Sequence, residues 1–188
     1  MNLANQLTML RIVLACAMFL ALMHSSRLGH VAALALFLAA LITDWIDGYV
    51  ARSTNTMSSF GKIADPIADK ILVLGALIAL IKNRDLDIPL WGVFLIIARE
   101  LLLGGIRTLA AAQGEVLAAE RWGKWKMGVQ SVAIALMLAI LVLGEYADIP
   151  AWVNRIPYHL TVLCVAVAWL SALLYYRQSR KVIESSWG

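Results

Sequence analysis

Several things are scarce in this chain, and each scarcity narrows the reading. There are only two cysteines, Cys16 and Cys164. Both fall inside apolar runs, where they read as small packing or lipid-facing residues, so no disulfide is expected and the redox compartment is not indicated. Charged residues make up 15% of the sequence and hydrophobic ones 62%, with a mean hydropathy of +0.79. That is too apolar for an ordinary soluble domain and predicts an integral membrane protein. No small-residue cleavage site stands out after the first apolar run, so no cleavable leader is expected. No basic stretch is interleaved with aromatics, which argues against nucleic acid as a partner. No internal repeat and no soluble domain is evident, and residues 1–188 are expected to form a single membrane domain.

What is present is a series of apolar runs, each near the ~20 residues that cross ~30 Å of hydrocarbon. They read as spans at about 7–23, 31–52, 59–81, 88–112, 127–143 and 158–176. The predicted fold class is therefore all-α integral membrane, with six transmembrane helices and a short N-terminal interfacial segment. Ser58 or Ser59 would cap the third helix. Pro66 either sits in the first turn of that helix or kinks it. Six spans put both termini on one side. That side carries Arg11, Arg52, Lys62, Lys70, Arg107, Arg121, Lys124, Lys126, Arg177, Arg180 and Lys181. The opposite turns hold fewer cations, so the richer side is expected to be cytoplasmic. Tryptophans such as Trp91, Trp122, Trp125 and Trp152 read as an interfacial belt. His24, His30 and His159 are placed at the interface away from the aspartates, and Gly104–Gly105 as a weak mark of close helix packing.

The chain is organised around TDWIDGYVARSTNTMSSFGKIADPIADK, Thr43 to Lys70. Four aspartates, Asp44, Asp47, Asp65 and Asp69, stand here among apolar segments. Gathered carboxylates at the edge of hydrocarbon repel one another and call for a compensating cation. Asp44 and Asp47 are i and i+3; Asp65 and Asp69 are i and i+4, so each pair shares a helical face. An all-oxygen set suits Mg²⁺, Mn²⁺ or Ca²⁺ rather than zinc or copper. Eight carboxylate oxygens suffice for two ions, an arrangement that serves phosphoryl transfer. Small residues at Gly48 and Ala51 leave room for a ligand, Arg52 offers a planar fork to phosphate, and Gly61 lies one turn before Asp65. Aspartates that merely mark the membrane boundary are the plainer alternative, which the paired spacing disfavours.

Asp44-x2-Asp47-Gly48-x2-Ala51-Arg52-x8-Gly61-x3-Asp65-x3-Asp69 is similar at every fixed position to the motif of the CDP-alcohol phosphotransferase family. The resemblance extends over nearly the whole chain. It implies transfer of a phosphatidyl group from CDP-diacylglycerol to an alcohol with release of CMP. It also implies two divalent cations, Mg or Mn, on the four aspartates, and Asp69 as the general base. Gly48, Arg52 and Ser58 match positions that hold the CDP moiety, and Ala51 and Gly61 are assigned with them. A homodimer and a bacterial cytoplasmic (inner) membrane location, with the active site facing the cytoplasm, are expected on the same ground.

Further runs, IAREL (Ile97–Leu101), GGIRTL (Gly104–Leu109) and GKWKMGVQ (Gly123–Gln130), resemble the branch of that family whose acceptor is sn-glycerol 3-phosphate. So do Asn5, Leu7, Thr8 and Arg11 near the N-terminus. On that reading Arg107, Lys124 and Lys126 hold the acceptor phosphate, and Arg99, Arg121, Asn5 and Thr8 are further candidates. Arg99 and Glu100 lie at mid-span, where an ionisable group is a functional candidate by default. For Glu100 a structural ion pair between helices is an equal alternative. Three other readings stay open: a sister enzyme using inositol phosphate, serine or phosphatidylglycerol; a divalent-cation transporter; and a non-catalytic scaffold. The transporter is disfavoured because the aspartates lie at one face and no repeated halves are seen. The scaffold leaves the aspartate spacing unexplained.

Overall fold

A computed structural model describes residues 3–54, 59–83, 85–112 and 121–185, with side chains described for 5–46, 64–83, 85–110 and 125–177. Among these residues the chain forms six α-helices and no strand. They are α1 (Leu3–Met23), α2 (Arg27–Thr54), α3 (Ser59–Ile81), α4 (Leu90–Ala112), α5 (Arg121–Tyr146) and α6 (Ile156–Ser185). A 3-10 turn, Val153–Arg155, precedes α6. The helix ends follow from local chemistry. Ser25 takes a left-handed backbone, φ 49°, beyond the end of α1. Ser26 Oγ accepts from the Gly29 amide at 3.0 Å and so caps α2. Pro66 lies inside α3, seven residues beyond Ser59 and past its first turn. It removes the amide that would bond the carbonyl of residue 62.

Four helices hold stretches long and apolar enough to cross a bilayer: Asn5–Met23, Arg27–Ile46, Trp125–Tyr146 and Val153–Arg177. The other two are of similar length, 23 residues each. At 1.5 Å per residue that is about 35 Å, long enough to span. They differ in charge. Asp65, Asp69 and Lys70 lie on α3, and Arg99, Glu100 and Arg107 on α4. The helices least suited to lipid are the ones that bear the candidate site. Large apolar side chains face outward, among them Leu28 at 80% and Leu20 at 66% exposed. In water such a surface would be an aggregation hazard. In a bilayer it is the lipid-facing side, and this is a membrane protein.

The chain divides into two compact units, Met1–Asp87 with Ile134–Pro157, and Ile88–Ala133 with Tyr158–Gly188. In the first, α1 packs on α2 and α3. The buried positions of α1 are Thr8, Arg11, Ala15, Met18 and Leu22. Their steps of three and four draw one stripe along the helix. On α2 the stripe is His30, Ala33, Phe37 and Ala40, and Asp44 continues it. On α3, Ala64, Ala68, Leu72 and Ala76 are buried at steps of four. Alanine recurs because lipid tails are as apolar as leucine: helices in a bilayer gain from close approach rather than from leaving the solvent. His30, expected at the interface, is instead 4% exposed, with Nδ1 2.7 Å from Glu145 Oε1. It stands on the packing stripe of α2, which turns it inward.

In the second unit, Thr161, Cys164, Ala168, Ser171 and Tyr175 form the buried stripe of α6. Contacts with α4 climb it in step. The Trp91 ring meets Tyr158 edge-on at 6.4 Å. A Cβ at Gly92 would lie 2.6 Å from Thr161 Cγ2, so glycine is what allows the two helices to close there. Gly105, by contrast, has open space where a Cβ would stand. The glycine pair expected to mark close packing does not do so at Gly105; Gly92 does.

Candidate active site

The acidic stretch lies on α2 and α3, and the structure ties both helices to one strip of α1. Thr8 and Arg11 are three residues apart on the buried stripe of that helix. Arg11 Nη1 is 2.8 Å from Asp44 Oδ1, an ion pair in which the arginine side chain is 2% exposed and the aspartate 46%. Thr8 Oγ1 donates to Asp65 Oδ1 at 2.5 Å, and Thr8 is fully buried. Two carboxylates from different helices therefore converge on the polar end of a third. Asp69 is half-buried one turn after Asp65 on α3, and Asn5 is half-buried one turn before Thr8's neighbour Met9 on α1. Both make polar or ring contacts of their own.

This arrangement suits a hard cation. The donors are all oxygens. Each of the two contacts to α1 engages one carboxylate oxygen, whereas a carboxylate offers two oxygens with about four lone-pair sites. Arg11 and Thr8 thus act from behind, fixing the orientation of Asp44 and Asp65 as outer groups do for metal ligands. Among the described residues, no three His, Cys, Asp or Glu side chains stand close enough to hold a metal ion. Asp47, the fourth member of the expected set, has its side chain outside the described residues. So do Gly48, Ala51, Arg52 and Gly61; Ser58 lies outside them altogether.

The basic residues belong to the second unit. Arg107 is exposed on α4, its guanidinium carbon 5.4 Å from the centre of the Tyr175 ring, a cation–π distance. The Tyr175 hydroxyl is buried and has no hydrogen-bond partner among the described residues. Lys126, on α5, is 5% exposed and pairs with Glu100 Oε1 on α4. The same oxygen accepts from Arg99 Nη1 at 2.9 Å. Arg99 also donates from Nε to the Ala168 carbonyl at 3.1 Å and from Nη2 to Ser171 Oγ at 2.6 Å. Arg99 and Glu100 are thus members of a buried network joining α4, α5 and α6. The side chains of Arg121 and Lys124 lie outside the described residues.

Two roles escaped the sequence reading. Arg11 was legible only as part of a matching run; its spacing of three from Thr8 was the available signal that both face one way. The partner of Glu100 was not legible, because nothing local relates residue 100 to residue 126.

Fold and site together define an all-helical membrane protein whose packing stripes become polar where two acidic helices meet a third. Against known proteins, residues 1–174 match the family described as CDP-alcohol phosphatidyltransferase. The chain is 39% identical over 170 residues to the CDP-diacylglycerol–glycerol-3-phosphate 3-phosphatidyltransferase of Bacillus subtilis (strain 168), covering 81% of this chain and 86% of that protein. It is 38% identical over 174 residues to the protein of the same name from Rickettsia bellii, covering 92% and 88%. For that of Mycoplasma pneumoniae the identity is 33% over 156 residues, covering 79% and 66%. The chain belongs to the CDP-alcohol phosphatidyltransferase family.

Proposed function

We propose that this protein transfers the phosphatidyl group of CDP-diacylglycerol to sn-glycerol 3-phosphate, forming phosphatidylglycerophosphate and CMP. The observation that carries the reading is the convergence of Asp44 and Asp65 on Thr8 and Arg11 inside the family's motif. The names of relatives that match most of the chain support the choice of acceptor. Asp44, Asp47, Asp65 and Asp69 would hold two divalent cations, Mg²⁺ or Mn²⁺, which supply positive charge against the diphosphate and the departing CMP. Asp69 takes the proton from the acceptor hydroxyl. The hydroxyl oxygen then attacks the phosphatidyl phosphorus, a new P–O bond forms, and the diphosphate P–O bond breaks with its electrons leaving on CMP. Gly48, Ala51, Arg52, Ser58 and Gly61 bind the CDP moiety. Arg107, Lys124 and Lys126 bind the acceptor phosphate, with Arg99, Arg121, Asn5 and Thr8 as supporting residues. Charge-assisted hydrogen bonds of that kind are each worth ~1.5–3 kcal/mol.

The surrounding proposals are consistent with it. All six helices span the bacterial cytoplasmic membrane after a short interfacial start, with both termini and the site on the cytoplasmic side. The basic residues concentrated there support that orientation, and CDP-linked substrate is then reached from the cytoplasm. One family match running over residues 1–174 supports a single functional domain, and the working unit is a homodimer. The test is purified protein in lipid with CDP-diacylglycerol and a panel of acceptors: glycerol 3-phosphate, inositol phosphate, serine and phosphatidylglycerol. CMP release and the mass of the lipid product are read. Turnover confined to an acceptor other than glycerol 3-phosphate overturns the assignment.

A further inference from the structure

We infer that Glu100 is a positioning residue for the reaction: it fixes the ammonium of Lys126 where the phosphate of the acceptor is received. The inference rests on the reading of Lys126 as an acceptor-phosphate ligand.

A lysine is a poor fixed point by itself. Its charge sits at the end of a flexible four-carbon stem with three equivalent donors. Here the stem is enclosed, 6% of the side chain being exposed, and the ammonium is anchored on Glu100, 12% exposed. The anchor is itself held. Glu100 Oε1 accepts from Arg99 Nη1 at 2.9 Å, and the Arg99 side chain is 7% exposed. Arg99 cannot turn away, because its Nε and Nη2 are engaged by the Ala168 carbonyl and Ser171 Oγ of α6. Ser171 is set in turn by donating to the same carbonyl at 2.8 Å. A chain of contacts therefore runs from α6 through Arg99 and Glu100 to Lys126, crossing three helices. Each link restricts the next.

The charge count points the same way. Arg99 and Lys126 bring two positive charges and Glu100 one negative, so the buried trio keeps one net positive charge. Arg107 adds its field to Arg99 from two turns further along α4. Buried charge without a counter-charge is costly, and a pair made only for stability would be expected to balance. An arriving phosphomonoester supplies the missing anion. Glu100 engages one of the three ammonium donors and leaves two for phosphate oxygens. It also keeps the site from accumulating enough positive charge to retain inorganic anions.

The experiment compares Glu100→Gln, Glu100→Asp and Ser171→Ala in the full-length protein in lipid, first establishing that the wild type releases CMP with glycerol 3-phosphate. Without that turnover it is the function reading that falls, not the role of Glu100. With it, Glu100→Gln is expected to raise the acceptor KM about tenfold, the size of one weakened charge-assisted contact, while the donor KM and kcat stay within about twofold. Glu100→Asp should recover part of the loss. In a Lys126→Ala background the Glu100→Gln change should add less than about twofold, because the residue it positions is gone. Ser171→Ala preserves every charge and loosens only the far end of the chain, so it answers the question should Glu100→Gln fold poorly. It should raise the acceptor KM alone. Equal increases in both KM values, independent effects of Glu100 and Lys126 in the double variant, or an unchanged acceptor KM in Glu100→Gln and Ser171→Ala would each overturn the inference.

Discussion

Arg11→Met tests the polar end of α1 directly. The substitution keeps much of the buried stem and removes the guanidinium that reaches Asp44 Oδ1 at 2.8 Å. A hydrogen bond to a charged partner is worth ~1.5–3 kcal/mol in general. Asp44 is 46% exposed, so water screens the pair and compensates the freed carboxylate. The lower end, ~1.5 kcal/mol, is the appropriate figure, which is about tenfold in an equilibrium constant. If Arg11 orients Asp44 for a divalent cation, that loss falls on cation affinity. Lost outer support of a metal ligand costs ~10–100-fold in affinity or activity, which brackets the same value. The assay is CMP release at saturating substrates across a magnesium titration, after stripping with a chelator. We expect the half-saturating magnesium concentration to rise about tenfold for Arg11→Met and less for Arg11→Lys, which retains charge but not the fork. A fall in that concentration would show that Arg11 competes with the cation for Asp44. The orienting role would then be refuted.

The other predictions are simpler. Asp69→Asn should abolish CMP release while the protein still extracts and melts like the wild type; undiminished turnover removes Asp69 from the base role. Gly92→Val should lower thermal stability in detergent by the ~1–3 kcal/mol typical of overpacking, since the new side chain starts 2.6 Å from Thr161 Cγ2. Gly105→Ala, where nothing lies within 4 Å of the added methyl, should be neutral or stabilise by up to ~1 kcal/mol through helix propensity. Melting curves that rank these two glycines the other way would contradict the packing described for α4.

The helices themselves were plain from hydropathy. The run expected at 59–81 is α3, Ser59–Ile81, and that expected at 88–112 is α4, Leu90–Ala112. Their ends are set by near neighbours in the chain, such as Ser26 capping α2, and so are written locally. The aspartates could also be singled out, because carboxylates are rare in apolar runs and their spacing alone assigns each pair to one helical face.

Which face of each helix turns inward was another matter. In water, a helix declares its buried side by being polar on the other. In a bilayer both sides are apolar, so Leu20 facing outward and Leu22 packed inside look alike in the sequence. The stripe Thr8, Arg11, Ala15, Met18, Leu22 emerges only when α1 is laid against α2 and α3, and with it the roles of Thr8 and Arg11. The same holds for Gly92 against Gly105, for the inward turn of His30, and for the meeting of Glu100 with Lys126, 26 residues away. Sequence alone determined the number and limits of the helices and the acidic character of the site, because those depend on residues close together along the chain. Tertiary structure decided which polar groups meet, because that depends on helix rotation, and helix rotation in lipid is set by packing shape rather than by polarity.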